Sequence, residues 1–95
     1  MGFLGRFLKE YINSINKSKT VFSKEISLHN TKLSRLLHNK EEPNIKILIR
    51  LELQSNKSIP ALFWLRILEK QKELELINNK KLRDSELKKV KVNIF

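Results

Sequence analysis

The chain has 95 residues, 40% of them hydrophobic, which is room for one small domain with a modest core and not for two. Twenty Lys and Arg against ten Asp and Glu give a net charge of +10, the balance of a protein that meets polyanions, because each phosphate neutralised releases condensed counterions. The absence of cysteine excludes disulfide and thiolate chemistry. No stretch is long and apolar enough to span a bilayer, and Arg6 and Lys9 come too early for a secretory signal, so a cytoplasmic protein without membrane attachment is expected.

Phe3, Leu4, Phe7, Leu8, Tyr11, Ile12 and Ile15 recur at spacings of one, three and four and predict a first helix over 2–15. Its apolar side suits a core or a membrane surface; the core is favoured, because the next helices need a partner for Phe22, Leu33 and Leu37. Residues 16–18 end that helix and supply the cap of a second over 19–26, on which Phe22 and Ile26 sit four apart. A turn at Ser27 then leads to a third helix over 30–38. At about 100° per residue, Leu33, Leu36 and Leu37 fall in an arc of roughly 100° there, with Thr31 and Arg35 close to the opposite side and Lys32 and Ser34 flanking them. Pro43 lies near the first turn of a fourth helix reaching Gln54; Ser58 is the expected N-cap of a fifth, with Pro60 in its first turn, running past Trp64 to Ile77.

Residues 1–77 thus read as one helical domain and 78–95 as a basic tail. Residues 78–89 suit a frayed helix or a loop, and Val90, Val92 and Ile94 alternate with polar residues at strand period. A strand paired with a symmetry mate or a partner, and a basic tail without fixed structure, both fit that pattern. Charge follows the same division: residues 1–40 carry +6, residues 41–79 none, and residues 80–95 carry +4.

Two short helices joined by a tight turn, the second with a polar and basic outer side, are how a reader of double-stranded DNA is built. Thr31, Lys32, Ser34 and Arg35 are the candidate base-reading residues: Arg and Lys donate two hydrogen bonds to guanine, and Thr meets a thymine methyl. His29 or Asn30 stands where the third helix starts, its free N–H groups facing a phosphate, and Lys17, Lys19, Lys24 and Lys40 are further phosphate contacts that set docking without reading sequence. The apolar run around Trp64 exceeds what one small core absorbs, so Phe63, Trp64, Ile67 and Leu68 are the expected face of a homodimer, which a two-fold operator requires. His29 and His38 lack neighbouring ligands at metal spacing, Glu41 and Glu42 are adjacent rather than opposed, and no Gly-rich loop is present; neither a cofactor nor an enzymatic activity is expected.

Residues 18–40, together with the next two helices, are similar to the Xre/Cro-type helix-turn-helix proteins. The run EPNIKILIRLELQSNKSIPALFWLRILEK over 42–70 resembles the later helices of HigA-like antitoxins, where an Arg-Leu-Glu late in the fourth helix and a Trp-Leu in the fifth are typical; here these are Arg50, Leu51, Glu52 and Trp64, Leu65. The resemblance implies an all-α, five-helix, lambda-repressor-like bundle and a repressor that shuts down its own operon as the antitoxin of a type II toxin–antitoxin pair. Its implied partners are operator DNA and a cognate toxin, typically a ribosome-dependent messenger-RNA nuclease. The chain departs from the family pattern at Ser23, where Ala is usual, at Ser27, where the turn usually has Gly, and at Asn39, where Gly often comes after the recognition helix. Two other readings suit the same charge: a stand-alone or phage-type repressor, and a basic RNA-binding or ribosome-associated protein. The second would need exposed aromatic platforms, whereas the aromatic residues here sit at core-like spacings.

Overall fold

A computed structural model describes residues 3–91 as six helices: α1 (Phe3–Ser14), α2 (Lys19–Glu25), α3 (Asn30–Leu37), α4 (Ile45–Gln54), α5 (Ala61–Asn78) and α6 (Lys80–Leu87). The class is all-α, and no strand occurs among the described residues. The expected count of five helices is therefore short by one, because residues 80–87 are helical, with Asn79 Oδ1 accepting from Leu82 N at 3.0 Å as an N-cap. Val90 lies in no strand; Val92 and Ile94, the rest of the alternating pattern, lie outside the described residues.

Four helices stop in the same way. After α1, α2, α3 and α4 the backbone passes through a left-handed residue, respectively Asn16 (φ 55°), Ser27 (φ 51°), Asn39 (φ 56°) and Asn56 (φ 54°), the last followed by a second one at Lys57 (φ 66°). The next N–H then bonds back to the carbonyl five residues earlier: Lys17 to Ile12, Leu28 to Ser23, Lys40 to Arg35 and Lys57 to Glu52. These are Schellman closures, which satisfy carbonyls that the helix itself leaves without partners. Asparagine tolerates this conformation best after glycine.

The helix starts are equally specific. Ser18 Oγ accepts from Val21 N and Asn44 Oδ1 from Ile47 N, at 3.1 and 2.9 Å. Pro43 is buried immediately before the N-cap Asn44, near the first turn of α4 as expected. Ser58 is not the cap of α5: its hydroxyl donates to Ser55 O, and Pro60 takes the N-cap position, where it offers no side-chain acceptor. The first N–H of α5 is met from another helix instead, by Glu52 Oε1 accepting from Ala61 N at 2.8 Å.

The core is Leu4, Leu8 and Ile12 of α1, Phe22 and Ile26 around α2, Leu33, Leu36 and Leu37 of α3, Ile47, Leu48 and Leu51 of α4, and Trp64 and Leu68 of α5. Tyr11 meets Phe22 and Trp64 edge-on, with ring centroids 6.1 and 6.2 Å away. Phe7, expected on the core side of the first helix, is 45% exposed, since Leu4, Leu8 and Ile12 form the inward stripe and Phe7 flanks it. α1 crosses the end of α3 so closely that a Cβ on Gly5 would stand 2.3 Å from Leu37 O. At that crossing Gly5 N donates to Asn39 Oδ1, and one residue earlier Leu4 N donates to Gln71 Oε1 on α5, both at 3.0 Å. Beyond Leu68 the molecule thins: Leu76 and Ile77 are exposed and α6 buries nothing, so the particle measures 58 × 24 × 21 Å.

Candidate nucleic-acid interface

Three leucines dock α3: Leu33, Leu36 and Leu37 are 1–3% exposed. With that side fixed, Thr31, Ser34 and Arg35 are turned outward and exposed, as their spacing predicts. They come together with Asn30, His38 and Lys40 along a shallow groove of about 520 Å³. His38 is the residue here that sequence reasoning weighed only as a metal ligand. Its position four after Ser34 and seven after Thr31 is the signal that puts it on the same side. Its Nδ1 lies 2.8 Å from Ser34 O.

Each part of α3 is held from behind. Ser23 is buried, with its hydroxyl 2.8 Å from both Thr20 O and Asn30 Oδ1, and so ties α2 to the first turn of α3. His29 is the N-cap, its Nδ1 accepting from Thr31 N at 3.3 Å. Arg50 reaches across from α4 and donates to Ile26 O at 3.4 Å and Ser27 O at 3.2 Å, closing the end of α2 and the turn after it. Thus Arg50 and Glu52, two residues apart on α4, serve different parts of the structure, Arg50 the turn before α3 and Glu52 the start of α5.

The basic side chains divide into paired and unpaired. Lys32 is half-buried and forms an ion pair with Glu41, and Arg35 Nε donates to the other oxygen of the same carboxylate at 3.0 Å. The Lys32 hydrogen bond, with Arg35 assisting, holds the Glu41 carboxyl below the ordinary carboxylate range. Lys17, expected at a phosphate, forms an ion pair with Glu25. Glu25 also accepts from Gln54 Nε2 at 3.0 Å, and Gln54 accepts from the Tyr11 hydroxyl at 2.7 Å. Lys17 first and Gln54 second lower the Glu25 carboxyl, while burial raises the Tyr11 phenol. Lys19, Lys24 and Lys40 are exposed and form no ion pair among the described residues.

Compared with known proteins, the chain matches no protein-family model, no curated protein and no solved structure at a significant level.

The expected dimer face is divided by the structure. Trp64 is 1% and Leu68 7% exposed within the single chain, so both belong to its own core and are corrected from surface to interior. Phe63 is exposed and Ile67 half-buried, and helical spacing puts Leu74 and Ile77 on their side of α5. Among the described residues no cluster of His, Cys, Asp and Glu stands where it could hold a metal, and no helix is long and apolar enough to cross a membrane.

Proposed function

We propose that this protein is a sequence-specific, double-stranded DNA-binding repressor of the Xre/Cro helix-turn-helix type, with α2, the Ser27 turn and α3 as its reading unit. The observation that carries this reading is the outward side of α3: Thr31, Ser34 and Arg35 lie exposed in one groove on a helix anchored by three buried leucines. A helix of eight residues so presented fits a major groove about 12 Å wide. Thr31, Lys32, Ser34 and Arg35 read base edges, and Lys19, Lys24, Lys40, His29 and the backbone N–H of Asn30 set the docking on phosphates. The protein acts as a homodimer through the Phe63, Ile67, Leu74 and Ile77 side of α5, so that two copies of α3 meet half-sites about 34 Å apart. It works in the cytoplasm without a cofactor and is not an enzyme.

Within that class the resemblance over 42–70 favours an antitoxin that represses its own operon together with a cognate toxin. The residues that carry that resemblance have structural roles here: Arg50 braces the turn before α3, Glu52 the start of α5, and Trp64 fills the centre of the core. A small basic open reading frame beside this gene, whose product co-purifies with the chain, is the expected finding; a solitary gene favours a stand-alone or phage-type repressor.

Selection of bound duplexes from fragments of the source genome tests the main reading. An enriched sequence with two-fold symmetry is expected, and it should compete far better than RNA of equal length at equal salt. Arg35→Ala should then reduce the preference for that duplex over random DNA by about 1 to 3 kcal/mol, whereas Lys24→Ala should weaken both alike and lower the salt slope by about 1. Equal binding of RNA would transfer the protein to the RNA-binding class.

A further inference from the structure

Glu41 is the acidic side chain that meets the reading face. It lies in the connection between α3 and α4, two residues after Asn39, whose left-handed backbone turns the chain back toward the helix just completed. Its side chain is only 25% exposed, and its two oxygens are divided between the two cationic residues of α3, Oε2 to Lys32 Nζ and Oε1 to Arg35 Nε. No other acid forms an ion pair with either of them among the described residues.

We propose that Glu41 is a specificity-determining positioning residue: by holding Arg35 through Nε and Lys32 through its ammonium, it fixes how Arg35 is presented to bases and removes one unit of charge from the attraction to any phosphate backbone. The inference rests on the DNA-binding reading above and deepens it.

Two physical effects combine. Arginine carries five N–H donors in a rigid fork, and a bond at Nε leaves the two terminal nitrogens to make the paired donation that guanine accepts. A guanidinium already held in one orientation loses less rotamer freedom on binding, which favours the duplex whose base matches that orientation. Binding to arbitrary DNA, in contrast, depends on the number of phosphates neutralised. There the group Lys32, Arg35 and Glu41 counts as +1, where the two bases alone would count as +2. Glu41 therefore lowers affinity for random duplex more than for the matched one, and the ratio between them rises.

The test uses the full chain with two probes, a duplex enriched by the wild type from a randomised library and the unselected pool. Glu41→Gln keeps the size and an acceptor for Arg35 Nε but removes the charge. It should bind the pool several-fold more tightly, steepen the salt slope by up to about 1, and lose a similar factor of preference for the enriched duplex. Glu41→Ala, which removes the acceptor as well, should lose more of that preference than Glu41→Gln. A wild type that is selective, with a Glu41→Gln variant indistinguishable from it in pool affinity and salt slope, overturns the role of Glu41 alone. A wild type that enriches no sequence overturns the DNA reading and this inference with it. Thermal melts by circular dichroism accompany both variants, so that any change in the folded fraction is separated from a change in DNA binding.

Discussion

Ser27 is the costliest of the four left-handed helix ends. A β-carbon in that conformation costs about 1–2 kcal/mol, which asparagine partly recovers by local hydrogen bonding and serine recovers less. Ser27→Gly should therefore stabilise the protein by up to about 1 kcal/mol, after the greater freedom glycine gives the unfolded chain is subtracted, read as a higher urea midpoint at unchanged slope. Gly5 presents the opposite case. A methyl group there meets the Leu37 carbonyl at 2.3 Å, backbone that cannot swing aside, so Gly5→Ala should destabilise by about 1–3 kcal/mol in the same measurement. Glu25 gives a pH dependence. Its carboxyl titrates lower when folded, so its contribution is complete above the ordinary Glu value of about 4.3 and is lost as pH falls through the lowered folded value. Melting curves of wild type and Glu25→Gln should run parallel at neutral pH and converge on acidification, with the gap narrowed by salt because the pair is at the surface.

At the scale of elements, α4 joins the two halves of the domain. Arg50 and Glu52 project from it in different directions, one to the carbonyls that end α2 and the other to the first amide of α5. Glu52→Ala leaves that amide without its acceptor and should cost about 1 kcal/mol, with hydrogen exchange accelerated in the first turn of α5 ahead of the rest of the chain. The boundaries of α2 and α3 are legible in sequence because their apolar residues are few and keep helical spacing, which leaves one possible inward side. Around Trp64 the same reasoning fails: Leu62, Phe63, Trp64 and Leu65 are apolar in every direction, and periodicity cannot say which of them faces in. The structure turns Trp64 and Leu68 inward and leaves Leu62 and Phe63 outside. Gly5, Glu41 and the cap from Glu52 were beyond sequence for another reason. Each acts on a residue of a different element, so its role exists only once the helices have crossed. On the outward side of α3, Thr31, Ser34 and Arg35 depend on local spacing alone and are exposed as expected, whereas Lys32 is half-buried against Glu41, a residue of the next connection that spacing within the helix cannot foresee.

Considered whole, the molecule is longer than its chain length requires. A compact chain of this size has a radius of gyration of about 12 Å, against 16.7 Å here, because the second half of α5 and α6 extend from the bundle. Removing residues 80–95 takes away no buried side chain among those described and a net charge of +4. The truncated chain should melt within about 4 °C of the full one, as surface changes do, yet bind random duplex with a shallower salt slope. If the proposed homodimer forms through Phe63 and Ile67, sedimentation at equal concentration should give a dimer for both forms; a dimer for the full chain and a monomer after truncation would transfer the interface to the projecting arm.

Trp64, the sole tryptophan, gives the protein a built-in optical gauge. Its indole is enclosed between Tyr11 and Phe63 at the centre of the bundle, on a different helix from Thr31 and Arg35. Its emission should stay blue and unaltered when a duplex docks and shift to the red only when the bundle opens, so one fluorimeter trace separates ligand-induced loosening from simple occupancy.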